Sequence, residues 1–153
     1  MISKQRVKEM AIELELELNE WGEDGYWFRQ DSAMIHISFS IINNKNKTEM
    51  VEVWCPVVRG ARIDQTLMRK LLRLNSELNF GAFGLLDDDT ITYQYSILGG
   101  NHMDSAEFKN AISMVAFISD EYDNKIVSTH GGTPSMEYVM EIIRKEEGHS
   151  LEW

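Results

Sequence analysis

Residues 71–97 read LLRLNSELNFGAFGLLDDDTITYQYSI, and a change of period inside this stretch decides the fold. Leu67, Leu71, Leu74 and Leu78 recur at three- and four-residue spacing, which puts them on one face of a helix that needs an apolar cover. Asn79 and Gly81, on either side of Phe80, tolerate the left-handed turn that stops a helix. Ile91, Tyr93, Tyr95 and Ile97 then alternate with Thr90, Thr92, Gln94 and Ser96, the two-residue period of a half-buried strand. The stretch is therefore a helix running into a hairpin, with Asp87, Asp88 and Asp89 at its turn.

The same two periods organise the rest of the chain. Residues 3–19 predict a helix, with Val7, Met10, Ala11, Leu14, Leu18 and Trp21 along one stripe. The alternation over 13–18 also fits a strand, but leucine and glutamate favour the helix. Tyr26, Trp27 and Phe28 predict a short strand. Residues 33–42 and 49–58 predict two longer ones, with Ile35, Ile37, Phe39 and Ile41 facing Val51, Val53, Cys55 and Val57. An antiparallel pair keeps such residues on one sheet face, and the expected register sets Ile41 opposite Val51, Phe39 opposite Val53, Ile37 opposite Cys55 and Ile35 opposite Val57.

The other face of these strands carries Met34, Ile42, Met50, Trp54 and Val58 among His36, Ser38, Ser40 and Glu52. It is unusually apolar for a face in water, so either it is a binding or dimer patch or another part of the chain covers it. Asp64 falls in the first turn of the central helix, where acid suits the helix dipole. Asp104 with Glu107 has capping-box spacing for a third helix reaching about residue 127. After a hinge at Gly131 and Gly132, Thr133 and Pro134 predict the start of a fourth helix with Met136, Val139, Met140 and Ile143 in its stripe. It reaches about residue 147 and leaves a short tail.

A length of 153 residues suits one domain with a real core. With 15 Lys plus Arg against 25 Asp plus Glu, the net charge of −10 repels phosphate backbones and anionic lipid. Neither a nucleic acid nor a membrane is expected as partner. Cys55 is the only cysteine, so it has no internal disulfide partner. No apolar run has the length of a membrane span, and residues 1–18 are too charged for a signal peptide. The cytoplasm is the expected compartment.

No catalytic or metal pattern emerges. Cys55 as a nucleophile needs a base, yet parity puts His36 on the opposite sheet face, so a packed core thiol is expected. The four histidines lack zinc-ligand spacing, and the three aspartates lack the alternation of a calcium loop. No cofactor is expected. Nine methionines, several beside the main apolar stripes, suit either core gap-filling or a surface that adapts to varied apolar ligands.

The order helix, three strands, helix, two strands, helix, together with LNSELNFGAFGLLDDDTITYQYSI and the DEYD of Asp120–Asp123, resembles the YbjN family, which shares the fold of class I type III secretion chaperones. The resemblance is strongest from Arg62 to Val127 and ends at Gly132. It implies an α+β domain over residues 1–131, in the order α-βββ-α-ββ-α around an antiparallel sheet of about five strands. Residues 132–153 would be a helical extension and tail. It further implies a non-enzymatic homodimer that binds extended apolar segments of a client protein, like the chaperone-like proteins and sensory-transduction regulators of that family. The second sheet face is the expected peptide site, with Met34, Met50, Trp54 and Val58, and with Trp27 and Phe28 nearby. Two readings compete with it: an interaction protein whose apolar surface serves only its own dimer, and an enzyme assembled from distant polar residues.

Overall fold

In the computed structural model, which describes residues 1–137, 140 and 144, the chain is α+β, with an antiparallel sheet and its first three α-helices gathered on one face. The elements are α1 (Ile2–Glu13), β1 (Asn19–Trp21), β2 (Gly25–Gln30), β3 (Ala33–Asn43), β4 (Thr48–Arg59), α2 (Gln65–Glu77), β5 (Ala82–Leu85), β6 (Ile91–Leu98), α3 (Ser105–His130) and β7 (Thr133–Pro134). The sheet runs β1-β2-β3-β4-β6-β5, and β7 pairs with the end of β4. Most of the predicted fourth helix and all of the tail lie outside the described residues.

Seven strands replace the five expected, for local reasons. The helix α1 stops at Glu13, because Glu15 takes a positive φ of 56°. Beyond it, Leu14, Leu16 and Leu18 are half-buried while Glu15 and Glu17 are exposed, so the alternation set aside in favour of a helix is the one the chain adopts. It leads into β1, which carries Trp21 off the predicted helical stripe and onto the sheet. Thr133 and Pro134, expected to open a helix, instead pair with Arg59 and Val58. Gly131 and Gly132 are no free hinge. A Cβ on Gly132 would lie 2.6 Å from both Ala61 N and Arg59 O, so the backbone there packs directly on the end of β4.

The core lies between the odd-numbered face of the sheet and α1 and α3. Ile35, Ile37, Val51, Val53 and Cys55 from the strands are fully enclosed with Val7, Phe108 and Val115 from the helices. Strand pairing is antiparallel with the expected parity, but the β3–β4 register is two residues from the expected one. Phe39 faces Val51 and Ile37 faces Val53. The pattern of apolar residues allows either register, since a two-residue slip keeps every side chain on its face. The loop between Asn43 and Thr48 and the bulge between Ile41 and Asn43 select this one.

Asp104 takes the cap that its spacing predicts, while Asp64, expected in the first turn of α2, stands just before it as the N-cap. Asp64 is the N-cap of α2, its carboxylate accepting from Leu67 N at 2.9 Å, and Asp104 caps α3 by accepting from Glu107 N. Asp64 also meets His130 Nε2 at 3.0 Å, while Arg62 N donates to His130 O. The start of α2 is thereby tied to the end of α3. At its other end α2 stops at Glu77, with Leu78 extended. Of the two residues expected to stop it, only Gly81 has positive φ, 73°. A Cβ there would approach Gln94 O at 2.6 Å and the Tyr93 hydroxyl at 2.8 Å. Gly81→Ala is expected to destabilise the protein by about 1–3 kcal/mol, read as a lower midpoint in urea unfolding.

Candidate functional site

Even-numbered residues of β3, of β4 up to Pro56 and of β6 face away from α1 and α3 and form a surface that is closed over Met34, His36 and Thr92 and open around Met50, Glu52 and Leu98. The register places His36 beside Trp54 and Gln94, Ser38 beside Glu52 and Ser96, and Ser40 beside Met50 and Leu98. In β2 it is Trp27, opposite His36, that joins this surface, and Trp21 reaches it from β1. Gln94, Ser96 and Leu98 are exposed, while Met50, Glu52 and Trp54 are half-buried.

Aromatic contacts give one end of the surface its shape. The His36 ring stacks on Trp54 at 4.4 Å and 17°, and Trp21 meets it edge-on at 4.5 Å. Trp54 Nε1 donates to Ser38 Oγ at 3.1 Å, which fixes the indole across the strand. His36 is enclosed, and its Nδ1 has no hydrogen-bond partner. Burial pushes its pKa down to about 4, because a charged imidazolium would lose its hydration there.

Of the six residues expected at the site, four lie on this surface and two do not. Trp27, Met34, Met50 and Trp54 are on it. Phe28 is not, because it pairs with Ile35 and so lies in the helix-covered core, 2% exposed. Val58 is fully buried. The bulge between Pro56 and Val58 sets it opposite Ile91, on the helix face, so simple parity along β4 fails beyond the proline. Met34 is enclosed at the end of the surface. There it lines a cleft of about 540 Å³ with Trp27, Phe28, Leu16, Met136 and Met140, so the two methionines of the C-terminal segment sit beside that end.

Two features of the surface were not singled out from the sequence. Leu98, 52% exposed, follows from the β6 alternation carried one step further. Trp21 needed the strand reading of residues 13–18. A second apolar surface lies elsewhere, between α2 and the edge strand β5. Ile63, Leu67, Met68, Leu71, Phe83 and Leu85 line a groove there of about 250 Å³, and Met68 and Leu72 are exposed beside it. Its signal was available, since Met68 and Leu72 fall next to the leucine stripe of α2.

Cys55 is on the helix side, fully buried, its thiol 3.3 Å from Ser119 Oγ. Burial drives its pKa up to about 11. It is separated by the sheet from His36, the arrangement that parity predicts. Asp87–Asp89 form the β5–β6 turn, where Asp88 Oδ1 accepts from Thr90 N at 3.0 Å.

A histidine kept neutral by the fold contributes stability fully above its unfolded pKa, about 6.5, and loses it as pH falls from there toward 4. The wild type is therefore expected to lose on the order of 3 kcal/mol more than His36→Phe over that interval. Urea titrations of both proteins at a series of pH values measure the difference.

Comparison with known proteins follows the same lines. Residues 4–138 match the family model described as T3SS (YopN, CesT) and YbjN peptide-binding chaperone 1, TY-Chap1. No curated protein matches the sequence. Among solved structures, a chain of the crystal structure of the ExsC–ExsE complex superposes with a TM-score of 0.59 at 13% identity, covering 82% of this chain and 97% of that one. YbjN from E. coli superposes with a TM-score of 0.55 at 14% identity, covering 84% of this chain and 93% of its own. At such identity these two superpositions speak for the fold. No helix among the described residues is long and apolar enough to cross a membrane. With the family match running over nearly its whole length, the chain belongs to the TY-Chap1 family of peptide-binding chaperones.

Proposed function

We propose that this protein is a non-enzymatic, dimeric chaperone of the cytoplasm that holds an extended apolar segment of a client protein on its open sheet face. Residues 1–131 are the binding domain and 132–153 its extension. The observation that carries the reading is the half-exposed pair Met50 and Trp54 on a sheet whose helices α1 and α3 pack on the other side. An extended client laid on this face gains preference from pockets for alternate side chains. Trp21, the last residue of the exposed edge strand β1, reaches one end of it. The family is one of peptide-binding chaperones, and one structural neighbour comes from a complex of two proteins.

The dimer is assigned to the other apolar surface. A two-fold interface must be self-complementary. The groove between α2 and β5 has exposed Arg69, Lys70 and Arg73 on its helix and Asp87–Asp89 at its hairpin tip, so two copies turned about an axis through it bring opposite charges together. Homodimerisation therefore leaves the open sheet face free for the client.

Affinity capture from a lysate of the source cell tests the first half. Wild type is expected to retain one or a few client proteins that Trp54→Glu loses while still folding and dimerising. Recovery of nothing but the bait by either form would favour an interaction protein whose apolar surface serves only its dimer. Light scattering tests the second half: wild type is expected at about twice the 17.7 kDa chain mass, and Leu72→Glu at the single-chain mass with unchanged circular dichroism. A Leu72→Glu protein that remains dimeric would place the interface elsewhere.

A further inference from the structure

The open face is built in rows. Along β4, Trp54, Glu52 and Met50 follow one another at two-residue steps, each step about 6.8 Å in an antiparallel strand. Cross-strand neighbours extend each of them sideways. Trp54 continues into His36 on one side and Gln94 on the other, and Met50 into Leu98 and Ser40, so each outer row holds an aromatic or apolar pair with one polar end. The middle row is polar, with Glu52 between Ser38 and Ser96. The Ser96 hydroxyl lies 3.5 Å from Glu52 Oε2.

Glu52 makes no ion pair among the described residues. The other ionisable groups on these strands do not neutralise it. His36 is neutral, and Arg29, beside Met34 at the far end, donates to Asp31 O. A half-buried carboxylate flanked along its strand by Trp54 and Met50, on a chain of net charge −10, attracts a cation more strongly than a solvated one does.

An extended peptide presents alternate side chains to one side at the same two-residue step as the rows beneath it. Building on the peptide-binding reading, we infer that Glu52 selects clients whose bound segment reads apolar, any, Lys or Arg, any, apolar. The cation sits against Glu52, one apolar residue over Trp54 and the other over Met50 and Leu98. The serines accept no charge of their own and leave the carboxylate as the sole discriminating group of the middle row. A glutamate or aspartate at the central client position meets like charge and is rejected.

The test uses two fluorescent peptides, one with Phe, Lys and Leu at alternate positions among serines and threonines, the other with Glu in place of Lys. Each is titrated with wild type, Glu52→Gln, Glu52→Lys and Trp54→Glu, with anisotropy as the readout. Wild type is expected to prefer the Lys peptide by roughly tenfold or more, less so at high salt. Glu52→Gln should remove most of that preference, and Glu52→Lys should invert it. Circular dichroism confirms the fold of each variant, and the near-isosteric Gln form stands if the Lys form does not fold. An unchanged Lys preference in both Glu52 variants, with binding lost in Trp54→Glu, overturns the selectivity and leaves the docking face standing. Binding that survives Trp54→Glu as well overturns both. Failure of wild type to bind either peptide also overturns the inference.

Discussion

The closure of one face of β4 by α3 is the constraint on which the rest of the structure depends. This twelve-residue strand pairs with β3 on one side and β6 on the other, and β7 joins its end. Its odd-numbered residues, Val51, Val53 and Cys55, are fully enclosed. Because side chains alternate along a strand, burying that set turns Met50, Glu52 and Trp54 the other way. The surface proposed to hold a client is thus a by-product of how the core is built.

Two joints hold the helices to this arrangement. Asp64 both caps α2 and meets His130 in the last turn of α3, so the two helices are fixed end to end by one carboxylate. Accepting from Leu67 N holds its pKa below the usual carboxylate value, with Arg62 and His130 adding to the effect. Ser3 makes the second joint. Its hydroxyl accepts from Gly100 N at 2.6 Å, and its own N–H donates to Glu49. That anchors the start of α1 to the loop after β6, on the helix-covered side of the sheet.

Much of this was legible in the sequence where period and chemistry agree. The leucine stripe of α2, the alternation of β6 and the capping aspartate at 104 each point to one structure. The errors fall where two local patterns compete or where a single residue breaks a count. Leucine and glutamate over 13–18 fit helix and strand alike, and the positive φ at Glu15 decides between them. Register within the β3–β4 hairpin was open by two residues because either choice buries the same face. Val58 escaped because a bulge at a proline reverses parity, and Phe28 because β2 pairs with β3 out of step in its numbering. At the site, composition could point to Trp54 and Met50, but the stacking of His36 between two tryptophans depends on strands distant in sequence.

The seclusion of Cys55 has a practical consequence. Thiolate, not thiol, reacts with alkylating reagents, and here the group is both without solvent contact and pushed up to about 11. It is the chain's one sulfhydryl and lies at the seam between β4 and α3. Its rate of modification under native conditions therefore times the parting of that seam, which gives the protein a built-in clock for its own opening with no engineered label.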